Sequence, residues 1–449
     1  MSSDSRLPDI DLDSLLPRLD QRANRAELRP VRGRVRRILG QLVHASVDGT
    51  GIGELCYLRD PLSGRRVAAE VIGFEDEDAI LSPIGDLRGM STRAEVIATG
   101  APQQVAVGEA LLGRVIDPMG AFIDNRPPPA KDTLITYPVH ADPPEPLARQ
   151  LIQHPLSLGI RAIDGLLTVA RGQRLGIFGE PGVGKSSLLS AIVRNSEADV
   201  IVLGLVGERG REVRELLDVQ LSTQARRRTV CVVATSDRPA IERTRSAMVA
   251  TSIAEFFRDQ GRDVLLLVDS ITRFARAQRE IGLAAGEPPT RRGFPPSLFA
   301  ALPRLLERAG PGATGSITAL YTVLTEGDGT LDPVSEETRA ILDGHIMLSA
   351  DMARRNHFPA IDVLASRSRL METVTAAEHR RFAARMRDLL ARHQDVELLL
   401  QVGEYREGQD ARTDEAIQKQ AAIETFLRQT NEETSSMSDT LKLMDEILS

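Results

Sequence analysis

Gly179-Glu-Pro-Gly-Val-Gly-Lys185-Ser186 fits the phosphate-loop pattern G-x-x-x-x-G-K-[ST]. Before it runs Gln173-Arg-Leu-Gly-Ile-Phe178, a short apolar segment suited to a buried strand. After it runs Ser187-Leu-Leu-Ser-Ala-Ile-Val-Arg194, with good helix formers at helical spacing. Strand, glycine-rich loop and helix let backbone N–H groups surround phosphate oxygens, and the helix N-terminus adds partial positive charge. Gly179, Glu180, Pro181, Gly182, Val183, Gly184, Lys185, Ser186 and Ser187 are therefore expected to form a nucleotide cradle. Lysine is scarce here, confined to Lys131, Lys185, Lys419 and Lys442, yet the loop keeps a compact ammonium. That shape sits between β- and γ-phosphates, and the Ser186 hydroxyl is placed for Mg²⁺. With these flanks, a chance glycine-rich turn is a poor alternative. The expected ligand is a nucleotide with Mg²⁺.

Outward from this loop, 449 residues allow two or three domains, and 42% hydrophobic with 27% charged residues reads as soluble and globular. No apolar run approaches the ~18 residues of a membrane span, and Met1-Ser-Ser-Asp-Ser-Arg-Leu-Pro8 shows no cleavable signal pattern. Cys56 and Cys231, far apart in sequence, read as small buried hydrophobes of a reducing cytosol. A net charge of −7 argues against a broad nucleic-acid surface. Arg22, Arg25, Arg29, Arg32, Arg34, Arg36 and Arg37 cluster locally, either to meet anionic lipid or an acidic partner or as a solvated face. The seven histidines show no metal-ligand spacing.

Residues 1–30 read as a polar leader around the amphipathic Leu12-Asp-Ser-Leu-Leu-Pro-Arg-Leu19. Over residues 31–99, short alternating segments (Gly33–Ile38, Gly53–Tyr57, Arg66–Ile72, Ala79–Ser82 and Ala94–Ile97) suggest a small oligomerising β-barrel. Residues 100–370 are assigned to an α/β nucleotide-binding domain, entered through Leu112–Gly120 and a proline-rich connector at about 126–146. From 371 to 449 the text is periodic and helical.

Two strand ends carry charge. Asp263-Val-Leu-Leu-Leu-Val-Asp269 is a buried strand that delivers Asp269 beside the phosphate loop, to hold a Mg²⁺-shell water. Val202-Leu-Gly-Leu-Val-Gly-Glu208-Arg209-Gly-Arg211-Glu212 ends likewise: Glu208 to orient the attacking water, Arg209 to neutralise phosphate charge, Glu212 to bind a metal water. A surface salt-bridge run at a helix start is the competing reading of the second cluster.

Four motifs carry a family resemblance: Gly207–Val213, Asp269–Ile281, Gly286–Ser297 and Gly315–Asp328. With them the chain resembles the catalytic β-type subunits of rotary ATPases, and most closely the flagellar and type III secretion export ATPases. The resemblance runs from about Val31 to Gln429. It implies a RecA-like core with an N-terminal small β-barrel and a C-terminal helical domain. It matches Lys185 to the phosphate-loop lysine, Ser186 to the magnesium hydroxyl and Glu208 to the catalytic carboxylate, and Arg209, Glu212, Asp269 and Arg273 to the phosphate and metal shell. Ala360–Arg369 matches the segment that supplies an arginine finger in trans; the pattern assigns Arg369, with Arg367 the competitor. Phe358 matches the aromatic that stacks on adenine, and Tyr405 is the candidate for its other side.

The resemblance further implies a Mg-ATPase working as a homohexamer at the base of a protein export apparatus, cytoplasmic and peripheral at the inner membrane. Implied partners are a stator-like regulator at residues 1–30, a central stalk facing the loop Ala284–Ser297, and chaperone–substrate complexes that the enzyme strips and unfolds. Thr290-Arg-Arg-Gly-Phe-Pro-Pro296 favours the virulence injectisome over the flagellum. A non-catalytic ring subunit is disfavoured by Glu208, and an RNA-translocating ring by the acidic balance.

Overall fold

The structure, a computed structural model, describes residues 31–325 and 332–449. The leader with its Leu12–Leu19 segment, Arg22, Arg25, Arg29 and the Glu326–Asp328 end of the fourth motif lie outside the described residues. The described residues form two compact units, one of residues 31–101 except 84–86, the other of the rest.

Turn glycines and alternating segments close the first unit into a six-stranded barrel: β1 (Arg32–Leu39), β2 (Leu42–Ser46), β3 (Glu54–Arg59), β4 (Arg66–Glu75), β5 (Asp78–Ile84) and β6 (Glu95–Pro102). The barrel order is β1-β2-β5-β4-β3-β6. Small and branched residues fill it, among them Val43, Ala45, Cys56, Leu58, Val71, Leu81 and Val96. Five of these strands overlap segments picked out by alternation; β2 does not. Its first four residues are all buried, so it shows no polar–apolar alternation to read. Arg32, Arg34, Arg36 and Arg37 are exposed on β1.

The second unit is built on a nine-stranded sheet. Its order is Ile361–Ser368, Gly344–Leu348, Arg174–Gly179, Ser316–Leu324, Asp263–Asp269, Val200–Glu208, Thr229–Thr235 and Val115–Ile116, with Gly310–Pro311 paired to Ser316–Leu324. The pairs from Gly344–Leu348 to Val115–Ile116 are parallel, and Ile361–Ser368 is an antiparallel edge. Parallel central strands are covered on both faces, hence their near-continuous apolar runs. Ile201, Leu203, Leu205, Leu265 and Leu267 join one core. Val200, Val202, Val206, Val264, Leu266 and Val268 join the other.

Part of what reads as connector is sheet. Val115–Ile116 pairs in register with Cys231 and Val232, and Ile135–Pro138 pairs with Gln104–Val107. Proline near a strand does not prevent pairing at an edge, where one face of the backbone needs no partner. Cys56 and Cys231 are both buried and free, and burial pushes each thiol up to about 12.

After the last strand come the helices Ala377–Gln401, Ala411–Leu427 and Met437–Leu448. Ile423, Phe426 and Met444 carry the first of the two cores into this helical end, against Ile163 and Leu166. Gly165 makes the close approach possible: a Cβ there would meet the Met444 sulfur at 2.8 Å. Among the described residues, no helix is long and apolar enough to cross a membrane.

Candidate active site

Crossovers in a parallel sheet bring the loops after several strands to one edge, where ligands bind. Here Gly179, Glu208 and Asp269 stand at the carboxyl ends of three of those strands, joined by the register pairs Gly179–Leu324 and Leu205–Asp269. Gly182 and Gly184 turn the loop with φ of 87° and 90°, the left-handed region that favours glycine. Helix Lys185–Asn195 starts immediately after.

A cavity of about 650 Å³ opens over that loop. Of the residues singled out from the sequence, Pro181, Gly182, Gly184, Lys185, Ser186, Ser187, Glu208, Arg209, Glu212, Asp269 and Arg273 line it. Gly179, Glu180 and Val183 belong to the loop without lining the cavity, and Val183 is buried beneath it. Gly179 is held close to Leu348 and Val183, so a Cβ there would approach both within 3.0 Å.

The charged groups are wired together. Lys185 Nζ donates to the Gly179 carbonyl at 3.0 Å, and burial lowers its pKa to about 8 against the pull of Asp269 and Glu208. Ser270 accepts from the Arg273 N–H and so caps helix Ile271–Ala284, which aims Arg273 back across the cleft. Its guanidinium donates to the Gly207 carbonyl and pairs with Glu208 at 2.7 Å. Burial, then the Asp269 carboxylate, push the Glu208 carboxyl up to about 8, and Arg273 opposes them. Burial also raises Glu212, but hydrogen bonds from Glu208 and Arg209 outweigh it and hold Glu212 low. Thr322 donates to Asp269 and fixes its orientation. Arg209, largely exposed, pairs with Glu212 at 3.1 Å.

Phe358 lies at the other end. A second cavity of about 240 Å³ shares Gly184 and Ser187 with the first and is walled by Phe358, Pro359, Ile160, Gln429, Thr430 and Asn431. The Phe358 ring lies against Gly184, where a Cβ would meet it at 3.2 Å. The segment Gln429–Asn431 was not singled out from the sequence. It is tied down by Gln429, whose N–H donates to the Phe358 carbonyl at 3.0 Å and whose side chain accepts from the Arg161 N–H at 2.9 Å. The buried Arg161 side chain donates to the Phe426 and Arg428 carbonyls and pairs with Glu433. Only the polar Gln-Thr-Asn run at the helix break after Leu427 marks this segment in one dimension.

Beyond the phosphate loop, two expected site residues are not brought into either cavity. Tyr405 sits between helices Ala377–Gln401 and Ala411–Leu427, its hydroxyl donating to Asp414 at 2.8 Å. Arg369 follows the edge strand, exposed, and its N–H donates to the Asp343 carbonyl at 3.0 Å. Arg367 is exposed on the same strand. The loop after Ala284 is closed internally, with the Glu287 carboxylate accepting from the Ser297 N–H at 2.9 Å.

Residues 159–368 match the ATP synthase alpha/beta family nucleotide-binding domain, 35–100 its beta-barrel domain, and 375–446 the T3SS EscN ATPase C-terminal domain. A type 3 secretion system ATPase of Sinorhizobium fredii is 53% identical over 438 residues, covering 98% of this chain and 97% of that protein. The chain belongs to the type 3 secretion system ATPases. The assembled ATPase EscN of enteropathogenic E. coli matches with a TM-score of 0.87 at 46% identity, over 93% of this chain and all of that one. EscN in complex with its central stalk EscO matches with a TM-score of 0.86 at the same identity and coverage. A flagellum-specific ATP synthase of Bacillus subtilis is 43% identical over 416 residues, 92% of this chain and 94% of that protein. Family membership makes the chain an ATP hydrolase.

Proposed function

We propose that this type 3 secretion ATPase hydrolyses Mg-ATP at the interfaces of a homohexameric ring in an injectisome. There it would release chaperones from export substrates and unfold them. The observation that carries the reading is a cleft with a full set of groups for cleavage but no finger: Arg369 does not line the cavity of its own chain. A neighbour's Arg369 completes it. The name and assembled state of the relatives support the ring, and EscN with its stalk supports a central-stalk partner. Secretion-system ATPases of higher identity than the flagellar relative support the injectisome over the flagellum. A stator-like regulator and a peripheral inner-membrane contact, with the cytoplasm as the site of work, complete the proposal.

Each residue then has a task. Glu208 orients the attacking water and takes up its proton; burial raises its basicity, and Arg273 holds the carboxylate in place. Lys185 and Arg209 neutralise charge on the phosphates, while the loop's N–H groups position them. Ser186, Asp269 and Glu212 would hold Mg²⁺, an all-oxygen set of the hard kind this ion prefers. Bound there, Mg²⁺ would supply positive charge to offset that of the phosphate oxygens. Phe358 stacks on the base, opposite Gln429–Asn431 rather than Tyr405.

Mixing two dead variants tests the shared site. Glu208→Gln and Arg369→Ala proteins, each inactive alone, regain part of the hydrolysis when combined, because one kind of interface keeps both groups. No recovery in rings shown to be mixed would withdraw the in-trans assignment.

A further inference from the structure

A third cavity, of about 270 Å³, opens beside the catalytic cleft and is walled by Gly207, Arg209, Ser236, Arg243, Arg273 and Arg276. Arg209, Arg273 and Arg276 wall the cleft as well, so the two spaces are neighbours across a fence of guanidiniums. Four arginines face this space and no carboxylate lines it. The acids that pair with three of them stand outside it: Glu208 with Arg273, Glu212 with Arg209 and Glu280 with Arg243. The Arg276 guanidinium, on an exposed residue, has no hydrogen-bond or ion-pair partner among the described residues. The convergence is built into the backbone. Gly207 has φ of 66°, and a Cβ there would meet Arg273 Cδ at 3.3 Å and Arg243 Cδ at 3.4 Å. A side chain there would be strained by that φ and would crowd both stems.

Like charges gathered around one space repel, and a multivalent anion turns that repulsion into binding. Guanidinium forks suit a tetrahedral oxyanion, and the Ser236 hydroxyl offers another donor. We propose that this pocket is an exit site for inorganic phosphate: the place to which the cleaved γ-phosphate, as HPO₄²⁻, moves on leaving the cleft. Arg209, Arg273 and Arg276 serve both spaces and hand the anion on, and Arg243, which walls this pocket and not the cleft, receives it. The proposal rests on the hydrolase reading and adds a route for one product.

The test uses the full-length assembled enzyme with Arg276→Gln and Arg276→Lys. Cleavage is followed by chemical quench, phosphate release by a fluorescent phosphate sensor, and affinity by inhibition with added inorganic phosphate. Loss of one charged hydrogen-bonding group predicts about tenfold weaker inhibition by phosphate. It also predicts that release trails cleavage in the Gln variant, with the Lys variant restoring most of both. Unchanged inhibition, with release in step with cleavage, overturns the exit site while wild-type hydrolysis leaves the enzyme reading intact. A Gln variant whose only defect is ring assembly, seen by sedimentation, also overturns it and gives the pocket to a neighbour's carboxylate.

Discussion

The two ends of the nucleotide cleft are built in opposite ways. The phosphate end comes from one continuous loop, Gly179–Ser187, and from adjacent strand ends at Glu208 and Asp269. The proposed base end gathers Ile160, Phe358 and Gln429–Asn431 from across some 270 residues. Phosphate binding needs backbone N–H groups in a fixed curl and a few charges, which a short motif supplies. A base needs an aromatic face and a closed apolar slot, which packing supplies from any part of the chain. The first end should therefore govern turnover and the second affinity.

The sharpest break in that division comes from outside both ends. Arg369→Ala is expected to lower kcat by about 10³–10⁵ while ATP binding stays intact, measured as hydrolysis against protein concentration beside a fluorescent-nucleotide titration. Specific activity of the wild type should climb with concentration. Flat activity with an unaffected mutant would mean that each subunit is complete alone. Next in size is Glu208→Gln, with kcat down about 10²–10⁴ and nucleotide affinity retained. Normal turnover in that protein would remove Glu208 from its role at the phosphate end.

Phe358→Ala tests the base end. A lost stacking contact of about 0.5–1.5 kcal/mol raises KM for ATP by up to about tenfold and leaves kcat within about twofold, read from saturation kinetics. A fall in kcat with unchanged KM would erase the distinction between the ends. The smallest effect belongs to Tyr405→Phe, whose hydroxyl is engaged by Asp414 away from either cavity. ATP kinetics should shift by less than about twofold, since the lost hydrogen bond is a surface contact. A rise in KM matching that of Phe358→Ala would bring Tyr405 back to the base.

Legibility followed the same division. Glu208 and Asp269 could be read because each ends a strand with a clear apolar run, and sheet register carries them to the loop, whereas Arg273 is legible only through the family resemblance. Gln429, Thr430 and Asn431 carry no pattern of their own. They line the Phe358 cavity because Arg161 and the Phe358 carbonyl hold that segment. β2 escaped notice because full burial erases alternation, and Val115–Ile116 because a two-residue edge strand is too short to show a period.

By itself the sequence determined the phosphate loop, the doubly covered parallel sheet around it, most of the barrel and the helical end. Each of these is dictated by neighbours in the chain: glycine at left-handed φ, apolar period, turn chemistry. Tertiary structure alone decided which face Phe358 meets, that Tyr405 turns to Asp414, and that four arginines share a pocket. Those outcomes depend on contacts between residues far apart in sequence, whose closeness is set by how the sheet, its crossovers and the helical end close-pack.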